Sequence, residues 1–585
     1  MSAAERLTLR VLGALLREDV LGLRTRGAPT DRPDGRWLRL AAPPHTLLLP
    51  VEPEGFQCEY AARLPLLEVD GAALTGLPEI LAALGDCAEE ADRSGYAAFA
   101  EECRQTLATM ELHDSARDRV HAALTARYGA EPADWTGLGA SLALDTLAAH
   151  LDHPVYPTAR GRAGLGDAQL IAYAPEFHPS FELRWLALPA GALTVEGTAA
   201  LPPWWPTPAE LGITGLTGPH LTLPVHPLSV GAPLDEALRA VGLDGRAVLV
   251  PRPYLTVVPT LSMRTVAVAA DPAHHLKLPL ATASLGLRNR RTIKPGTLVD
   301  GAAGQRLLEA VLEREPRFAG AVLHADEQCY AHAGHELLAV LLRRYPTGLD
   351  EALTVPLAAL TATAPGGRLV LDHLADRFHD GDPAAFYDEV LILLLDWQTT
   401  LFGYGIALES HQQNVSLVLD RVGGRTRTRL LLKDNDGPRV NTRRLDGALG
   451  LRRPDRTGVD RTGVDRRGFH DDRILGDDDR PLTDLFATVT GHLCTAALAF
   501  ALEAHGRVPL ATSLRQLRVR LTEALDRLGP AGEPLRVALL EAERLPVKAM
   551  VTAGTLLSKQ RSGATDINKH YTTGPNYLRR QVERR

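Results

Sequence analysis

Three polar side chains with the chemistry of an active site follow a long apolar run that ends near residue 403. Glu409, His411 and Gln413 supply a carboxylate, an imidazole and an amide. Because they alternate along the chain, an extended backbone would point all three to one side. A carboxylate can bind a metal ion, and an imidazole can hold or move a proton. The stretch therefore predicts a polar site at the end of a buried element.

A hairpin is predicted directly after these residues. The apolar runs 415–419 and 428–432 flank a Gly-Gly pair, a pattern typical of two antiparallel strands joined by a tight turn. Because a hairpin brings its open ends together, Asn414 should lie beside Asp434. Their oxygens suit Mg²⁺, which prefers hard oxygen ligands and commonly keeps substrate phosphates among them. Protein kinases build a comparable site from an Asn and an Asp. The alternative is a solvated hairpin with scattered charges.

Residues 246–294 form a second informative region, in which alternating β-branched residues predict successive strands. One strand ends at Ser262, Arg264 and Thr265, and Lys277 lies inside the next apolar strand. A lysine there is costly unless its ammonium meets an anion, and phosphate oxygens would supply one. The alternative is an edge strand with an outward lysine.

Two further segments carry arginines that suit anions. Ser284 and Arg288 would lie one turn apart if a helix begins there. Earlier, prolines fix the segment 152–165 as a loop, in which Arg160 and Arg162 alternate. Their two guanidinium groups could face a carboxylate or phosphate. The alternative for this loop is a basic surface turn.

The common nucleotide and hydrolase signatures are missing from the sequence. There is no GxxxxGK loop, no GxGxxG that opens a helix after a strand, and no GxSxG elbow. His332, His335 and Glu336 do not complete the HExxH zinc pattern. Any nucleotide would therefore bind through a different arrangement.

The elements that position these residues are predicted from hydrophobic periodicity. Residues up to about 150 are expected to be mainly helical after a β-like patch at 37–51, and helices are expected again at 305–350 and 481–545. Strands are expected near 173–188 and 221–230. The charged segment 452–480, with its duplicated DRTGV, is expected to be a loop.

Composition bounds the class of protein. The chain has 585 residues, 45% hydrophobic and 23% charged, which is typical of a soluble globular protein with several substructures. A net charge of −7 gives no reason to expect nucleic acid or an anionic membrane as a partner. No apolar run is expected to reach the length of a membrane-spanning helix. The five scattered cysteines lack metal-type spacing and favour a reduced cytoplasm.

Several short motifs together resemble the IucA/IucC family, the siderophore synthetases that work without a nonribosomal peptide synthetase. They occur in the family's order between about 150 and 440: HPVYPTARGRAG (153–164), YAPEF (173–177), Ser262-Met263-Arg264-Thr265, Lys277-Leu278, Ser284 with Arg288, ESHQQN (409–414) and Lys433-Asp434. The chain departs from the family pattern at Tyr156, Arg160, Leu228-Ser229, Ser284 and Lys433.

The resemblance implies an activity. Members of the family use ATP to adenylate a carboxylate, commonly citrate or a citryl derivative, and then transfer the acyl group to an amine or alcohol with release of AMP and pyrophosphate.

The resemblance also implies roles for residues of this chain. Phosphates would be held by Ser262, Arg264, Thr265, Lys277 and Ser284. Mg²⁺ would be held by Glu409, Asn414 and Asp434. The nucleotide's α-phosphate would lie near His411 and Gln413, and the carboxylate substrate near Arg288, His153 and Arg162.

The family architecture implies an α+β fold shaped like a hand. A helical thumb would span residues 1–150, mixed fingers 151–375, and a mostly helical palm with a β element 376–585. Family members are often homodimers. Two other functions remain open at this point: a small-molecule phosphotransferase built on Asn414 and Asp434, and an inactive relative that only binds a carboxylate.

Overall fold

The computed structural model describes residues 1–197, 201–449, 468–563 and 570–579. Helices and strands are mixed throughout these ranges, which confirms the α+β class, whereas the hand-like description stays a prediction. The duplicated DRTGV segment lies outside the described residues.

The first 150 residues combine helices with a six-stranded sheet, so the expectation of a mainly helical region was wrong in part. Its strands are short and separated by turn residues, which hides them from a pattern search. The helices are Ala3–Arg17, Leu77–Asp86, Arg93–Tyr128 and Leu138–Ala149. The strands are Ala28–Arg32, Gly35–Ala42, His45–Pro53, Tyr60–Ala62, Leu67–Val69 and Ala72–Leu74.

A nine-stranded sheet follows. Lys277 ends the strand Asp271–Lys277, which pairs on one side with Thr265–Val268 and on the other with Ala339–Arg344. The lysine therefore does not lie on an edge strand, and the edge-strand alternative is wrong. The other strands of the sheet are Phe181–Pro189, Thr194–Glu196, His220–Val225, Val248–Leu249, Tyr254–Pro259 and Asp326–His332.

The predicted helix at 305–350 is only half present. Pro295–Arg314 is helical, but Asp326–His332 and Ala339–Arg344 are strands. The second strand is a continuous apolar run buried on both faces, which periodicity alone cannot distinguish from a buried helix.

The last region is helical with small sheets. The predicted hairpin is confirmed: Val415–Val422 pairs with Arg425–Leu432 around Gly423 and Gly424, whose φ angles are 59° and 79°. A turn with two positive φ angles needs such residues. The helices are Val370–Phe378, Pro383–Gly403, Thr442–Leu449, Arg480–Leu485, Phe486–Ala496, Ala497–Ala504 and Leu510–Leu528. Further strands are Val322–His324, Leu353–Pro356, Ile406–Ala407, Arg439–Asn441, Leu475–Gly476, Arg544–Lys548 and Tyr571–Pro575.

One hydrophobic core joins the first 156 residues to residues 307–578, and the nine-stranded sheet encloses a separate core. The helical run Arg480–Ala504 is long and apolar enough to cross a membrane, so the expectation that no run has this length was wrong. Its apolar window is 83% buried inside the protein, as in a core helix.

Candidate active site

A cleft of about 990 Å³ lies where the nine-stranded sheet meets the open end of the hairpin. One wall is the irregular segment 281–294, here called the arginine loop, and the helix Pro295–Arg314 begins beside it. Four of the predicted site residues line the cleft: Arg264, Lys277, Arg288 and Glu409.

Lys277 meets protein carboxylates at the floor of the cleft. Its Nζ lies 2.7 Å from Asp434 Oδ1 and 3.4 Å from Asp436 Oδ2, and its side chain is 8% exposed. Burial acts to lower the pKa of Lys277, but the charges of Asp434 and Asp436 outweigh it and raise the pKa. The sequence argument that a buried lysine needs an anion is correct, and in this structure the anion belongs to the protein.

Asp434 is held from several directions. Its Oδ1 accepts from Lys277 and from Arg343 Nη2, each at 2.7 Å, and its backbone N–H donates to Glu327 Oε1 at 2.9 Å. Burial opposes ionisation, but Arg343 and Lys277 hold the pKa of Asp434 well below its usual range. The prediction that Asp434 lies beside Asn414 is confirmed, since the N–H of the preceding residue, Lys433, donates to the Asn414 carbonyl at 3.1 Å.

The segment 409–414 turns instead of running extended, so the expectation that alternate side chains share one side was wrong. The backbone N–H of His411 donates to the Glu409 carbonyl, and that of Asn414 to the His411 carbonyl, each at 2.9 Å. Asn414 Nδ2 also donates to the Glu409 carbonyl at 3.0 Å. Glu409 therefore reaches the cleft while Asn414 is buried behind it.

His411 and His153 are neutral at pH 7. Burial lowers the pKa of His411 to about 4, although Asp434 acts to raise it. Burial lowers the pKa of His153 to about 3. His153 Nδ1 accepts from the Val155 and Tyr156 backbone N–H groups at 3.3 and 3.0 Å, so one ring nitrogen is used to hold its own loop. Gln413 lies partly exposed beside them, and its backbone N–H donates to His411 Nδ1 at 3.3 Å.

The oxygen donors suit a Mg²⁺ ion bound together with phosphate. Within the described ranges, no group of three or more His, Cys, Asp or Glu side chains is arranged to hold a metal by itself. Glu409 and Asp436 both line the cleft, and a Cβ at Gly437 would lie 3.5 Å from the Glu409 carboxyl carbon. Mg²⁺ sites in phosphate-binding proteins commonly use one or two carboxylates plus substrate oxygens.

The arginine loop is not a helix, so the expectation of a helix start at Ser284 was wrong. Gly286 has φ +101°, and a Cβ there would lie 3.1 Å from the Gly554 Cα. This close approach packs the loop against the segment 553–557. Arg288 is exposed, and its Nη1 donates to the carbonyls of Ala553, at 3.1 Å, and Leu557.

Arg291, from the same loop, is a cation that sequence reasoning missed. Its guanidinium donates to the Oγ and the carbonyl of Ser284, so Ser284 holds this arginine. No ion pair joins Arg291 to a carboxylate within the described part of the chain, although the residue is partly buried and lines the cleft. Burial, together with the charges of Arg264 and Arg162, lowers its pKa to about 9.

Arg264 and its neighbours lie above Lys277. Arg264 Nη1 donates to the Thr292 carbonyl at 2.7 Å, and the residue likewise has no ion pair in the described ranges. Burial lowers its pKa. Thr265 is buried directly opposite Lys277 in the strand register, and Ser262 accepts the Thr265 N–H at 2.6 Å in the turn between strands.

The loop 152–165 does not offer two available guanidinium groups, so that expectation was wrong. Arg160 Nε donates to Asp152 at 2.8 Å, and Arg162 Nη2 donates to Glu176 at 3.0 Å. Glu176, from the YAPEF motif, is only 1% exposed. A buried carboxylate needs a cation beside it, and Arg162 supplies that charge.

Part of the chain matches a known family model. Residues 142–362 match the model of the IucA / IucC family, a range that contains both arginine-bearing loops and the Lys277 strand. Over these residues the chain resembles the IucA/IucC family. Residues 391–562 match a second model, described as the ferric iron reductase FhuF-like transporter.

The individual curated relatives are distant. Staphyloferrin B synthase of Staphylococcus aureus is 25% identical over 312 residues, which cover 49% of this chain and 52% of that protein. The L-2,3-diaminopropanoate–citrate ligase of the same organism is 29% identical over 145 residues, covering 22% and 23%. The chain thus spans about half the length, or less, of these curated relatives.

The fold is shared over nearly the whole chain. ATP-bound aerobactin synthetase IucA from a hypervirulent pathotype of Klebsiella pneumoniae superposes with a TM-score of 0.70 at 18% identity, covering 99% of each chain. At this identity the likeness establishes a common fold.

Sequence reasoning also missed Glu327 and Arg343, which hold Asp434. Both lie in the stretch that was predicted to be helical, where they read as ordinary surface charges. For Arg343, the one available signal was its place directly after the apolar run LLAVLL, because a charged residue inside a buried element needs a partner. For Arg291, the signal was its place in the run RNRRT directly after the Lys277 strand.

Proposed function

We propose that this protein is an ATP-dependent synthetase of siderophore biosynthesis. It adenylates a carboxylate, citrate or a citryl derivative, and condenses the acyl group with an amine or alcohol, releasing AMP and pyrophosphate. The reaction brings a carboxylate against an anionic phosphate, so the site has to supply positive charge that is already in place. The observation that carries the proposal is that Arg264 and Arg291 line the cleft, donate to neutral oxygens and form no ion pair with a carboxylate in the described ranges.

The floor of the cleft would bind the nucleotide. Lys277 and Arg264 would contact phosphate oxygens, with Ser262 and Thr265 in the adjoining turn. His411, held neutral by burial, would orient the α-phosphate without adding charge, and Gln413 lies next to it.

Glu409 would hold Mg²⁺, with Asn414 and Asp434 completing the predicted set. Since Asp434 already accepts from Lys277 and Arg343, Asp436 on the cleft wall is the better-placed second carboxylate. When bound, Mg²⁺ neutralises phosphate charge and orients the oxygens.

The acid would bind against the arginine loop. Ser284 holds Arg291, whose charge is not balanced by an ion pair with any carboxylate of the described ranges. Arg288 lies at the exposed side of the same loop. His153 and Arg162 stand behind this wall: Arg162 shapes it through Glu176, and His153 adjoins His411. A cytoplasmic location, a homodimer and the three-part division at 150 and 375 are proposed with this function.

The test is a product analysis with the full chain. ATP, Mg²⁺ and hydroxylamine are incubated with a panel of carboxylic acids, and hydroxamate, AMP and ADP are measured. The proposal expects hydroxamate and AMP in equal amounts with a citrate-like acid. Acid-dependent ADP would instead indicate a phosphotransferase, and acid binding without ATP consumption would indicate an inactive relative.

A further inference from the structure

A buried ion pair lies beneath the nucleotide side of the cleft. Arg343 and Glu327 have side chains that are each 2% exposed, and Arg343 Nε donates to Glu327 Oε1 at 2.6 Å. The strand that carries Glu327 has an irregular register between Asp326 and Cys329, and such bulges re-aim side chains. Burying two charges is costly unless their remaining hydrogen-bonding groups are also satisfied.

The remaining groups of the pair are satisfied by one turn at the end of the hairpin. Glu327 accepts the backbone N–H of Asp434 at 2.9 Å and that of Asn435 at 3.2 Å, one on each oxygen. Arg343 Nη2 donates to the Asp434 carboxylate at 2.7 Å. Glu327 N–H in turn donates to Gln305 Oε1 at 2.6 Å, which ties this strand to the helix Pro295–Arg314.

The turn needs such support. Asp434 has φ +61°, a left-handed conformation that is uncommon for a residue other than glycine. Residues are held in such conformations when their surroundings fix them, and here a carboxylate bound to two successive N–H groups does so.

We infer that Glu327 is a positioning residue for the nucleotide: with Arg343 it fixes the turn 434–436, and thereby sets where Lys277 and Asp436 meet phosphate and metal. The inference rests on the proposed function and adds to it a residue pair from a different part of the chain. Arg343 remains paired with the Asp434 carboxylate when Lys277 moves. Lys277 can therefore contact a phosphate without leaving the Asp434 carboxylate unpaired.

The first experiment is Glu327→Gln in the full chain. The amide cannot accept from Arg343 and from both backbone N–H groups. Losing one hydrogen bond to a charged group loosens the turn 434–436, and we expect this to weaken the affinity for ATP about ten- to a hundredfold. We expect calorimetry with ATP and Mg²⁺, in the absence of acid, to show that loss. We expect the KM for ATP to rise similarly, while the KM for the acid stays within about twofold. The matched control is Asp326→Asn, on the same strand as Glu327, which removes a partly exposed pair with Arg344 of the neighbouring strand.

Two results would overturn the inference. One is a folded Glu327→Gln protein with unchanged affinity for ATP. The other is equal weakening for ATP and acid, which would indicate a general structural role. If Glu327→Gln does not fold, Arg343→Lys, which keeps the charge but not the planar fork, is judged by the same two results. Calorimetry needs no turnover, so failure of the proposed reaction would show separately, as an absence of AMP from the unaltered protein.

Discussion

Two arginine-bearing loops lie against each other, one of them lining the cleft, and they use the same residue type in opposite ways. The loop 152–165 and the arginine loop are joined by hydrogen bonds from the Ala163 N–H to the Ala283 carbonyl, at 2.9 Å, and from Thr282 Oγ1 to the Ala163 carbonyl, at 2.7 Å. In the first loop, Arg162 is paired with a carboxylate. In the second, Arg291 is held by neutral oxygens of one serine.

The difference distinguishes an arginine that supports the fold from one that is placed to bind a ligand. The charge of Arg162 is already balanced by Glu176, so this arginine contributes to the fold. Among the residues that the structure describes, no ion pair balances the charge of Arg291, and its lowered pKa reflects the cost of burying that charge. Functional sites commonly carry such a cost in exchange for charge that is in place before the ligand arrives.

The largest expected effect is on stability, at the paired arginine. Arg162→Met leaves the Glu176 carboxylate buried without its cation, and breaking a buried pair from one side costs about 3–5 kcal/mol. We expect urea unfolding to show a loss of that size. A second change, Glu176→Gln, should restore part of the loss, because the buried charge is then gone. Wild-type stability in the single variant would remove the distinction between the two loops.

The next effect is on activity, at the arginine without an ion pair. Arg291→Met should lower acid-dependent AMP formation about 100-fold, as expected when a preorganised charge is removed. Its free energy of unfolding should not fall, since no buried carboxylate loses a partner. The control is Arg290→Met, which removes the adjacent arginine, whose side chain is 61% exposed and paired with Glu336. A large loss of stability in Arg291→Met would show that the residue is structural.

A smaller effect is expected at Arg288, which the sequence motif assigned to the acid. Its guanidinium is exposed and donates to two backbone carbonyls, so its charge is more screened than that of Arg291. We expect Arg288→Ala to lower kcat/KM for the acid about tenfold, with ATP affinity unchanged. If Arg288→Ala is more damaging than Arg291→Met, the acid binds at the outer side of the loop.

The smallest effect concerns pH. The pKa of His411 is lowered by burial to about 4, below the ordinary value of 6.5, so the unfolded chain takes up its proton first as the pH falls. Stability should therefore decrease as the pH drops from about 6.5 towards 4, and His411→Asn should reduce that slope. Between pH 6 and 8, the pH profile of activity should have the same shape in the unaltered protein and in His411→Asn. A titration step that is present in the unaltered protein and absent from His411→Asn would mean that His411 acts as an acid or base.

The sequence predicted the parts of the site that local patterns encode. The Gly-Gly hairpin, the strand around Lys277 and its need for an anion follow from short-range rules, and each is confirmed. The partner of Lys277 was not predictable, because Asp434 lies 157 residues away and the pairing exists only in the folded chain. The strand Ala339–Arg344 was missed because burial on both faces removes the alternation that marks a strand. Arg162 and Arg291 looked alike in sequence, since only the folded chain places Glu176 beside one of them.

The most direct test of the central claim is acid-dependent exchange of labelled pyrophosphate into ATP, which reports adenylate formation before any nucleophile is needed. We expect the unaltered protein and Arg290→Met to catalyse exchange with a citrate-like acid, and Arg291→Met to do so about 100-fold more slowly. Exchange at the same rate in Arg291→Met would contradict the account of the arginine loop. An absence of exchange in the unaltered protein, with ADP as the product, would contradict the proposed reaction itself.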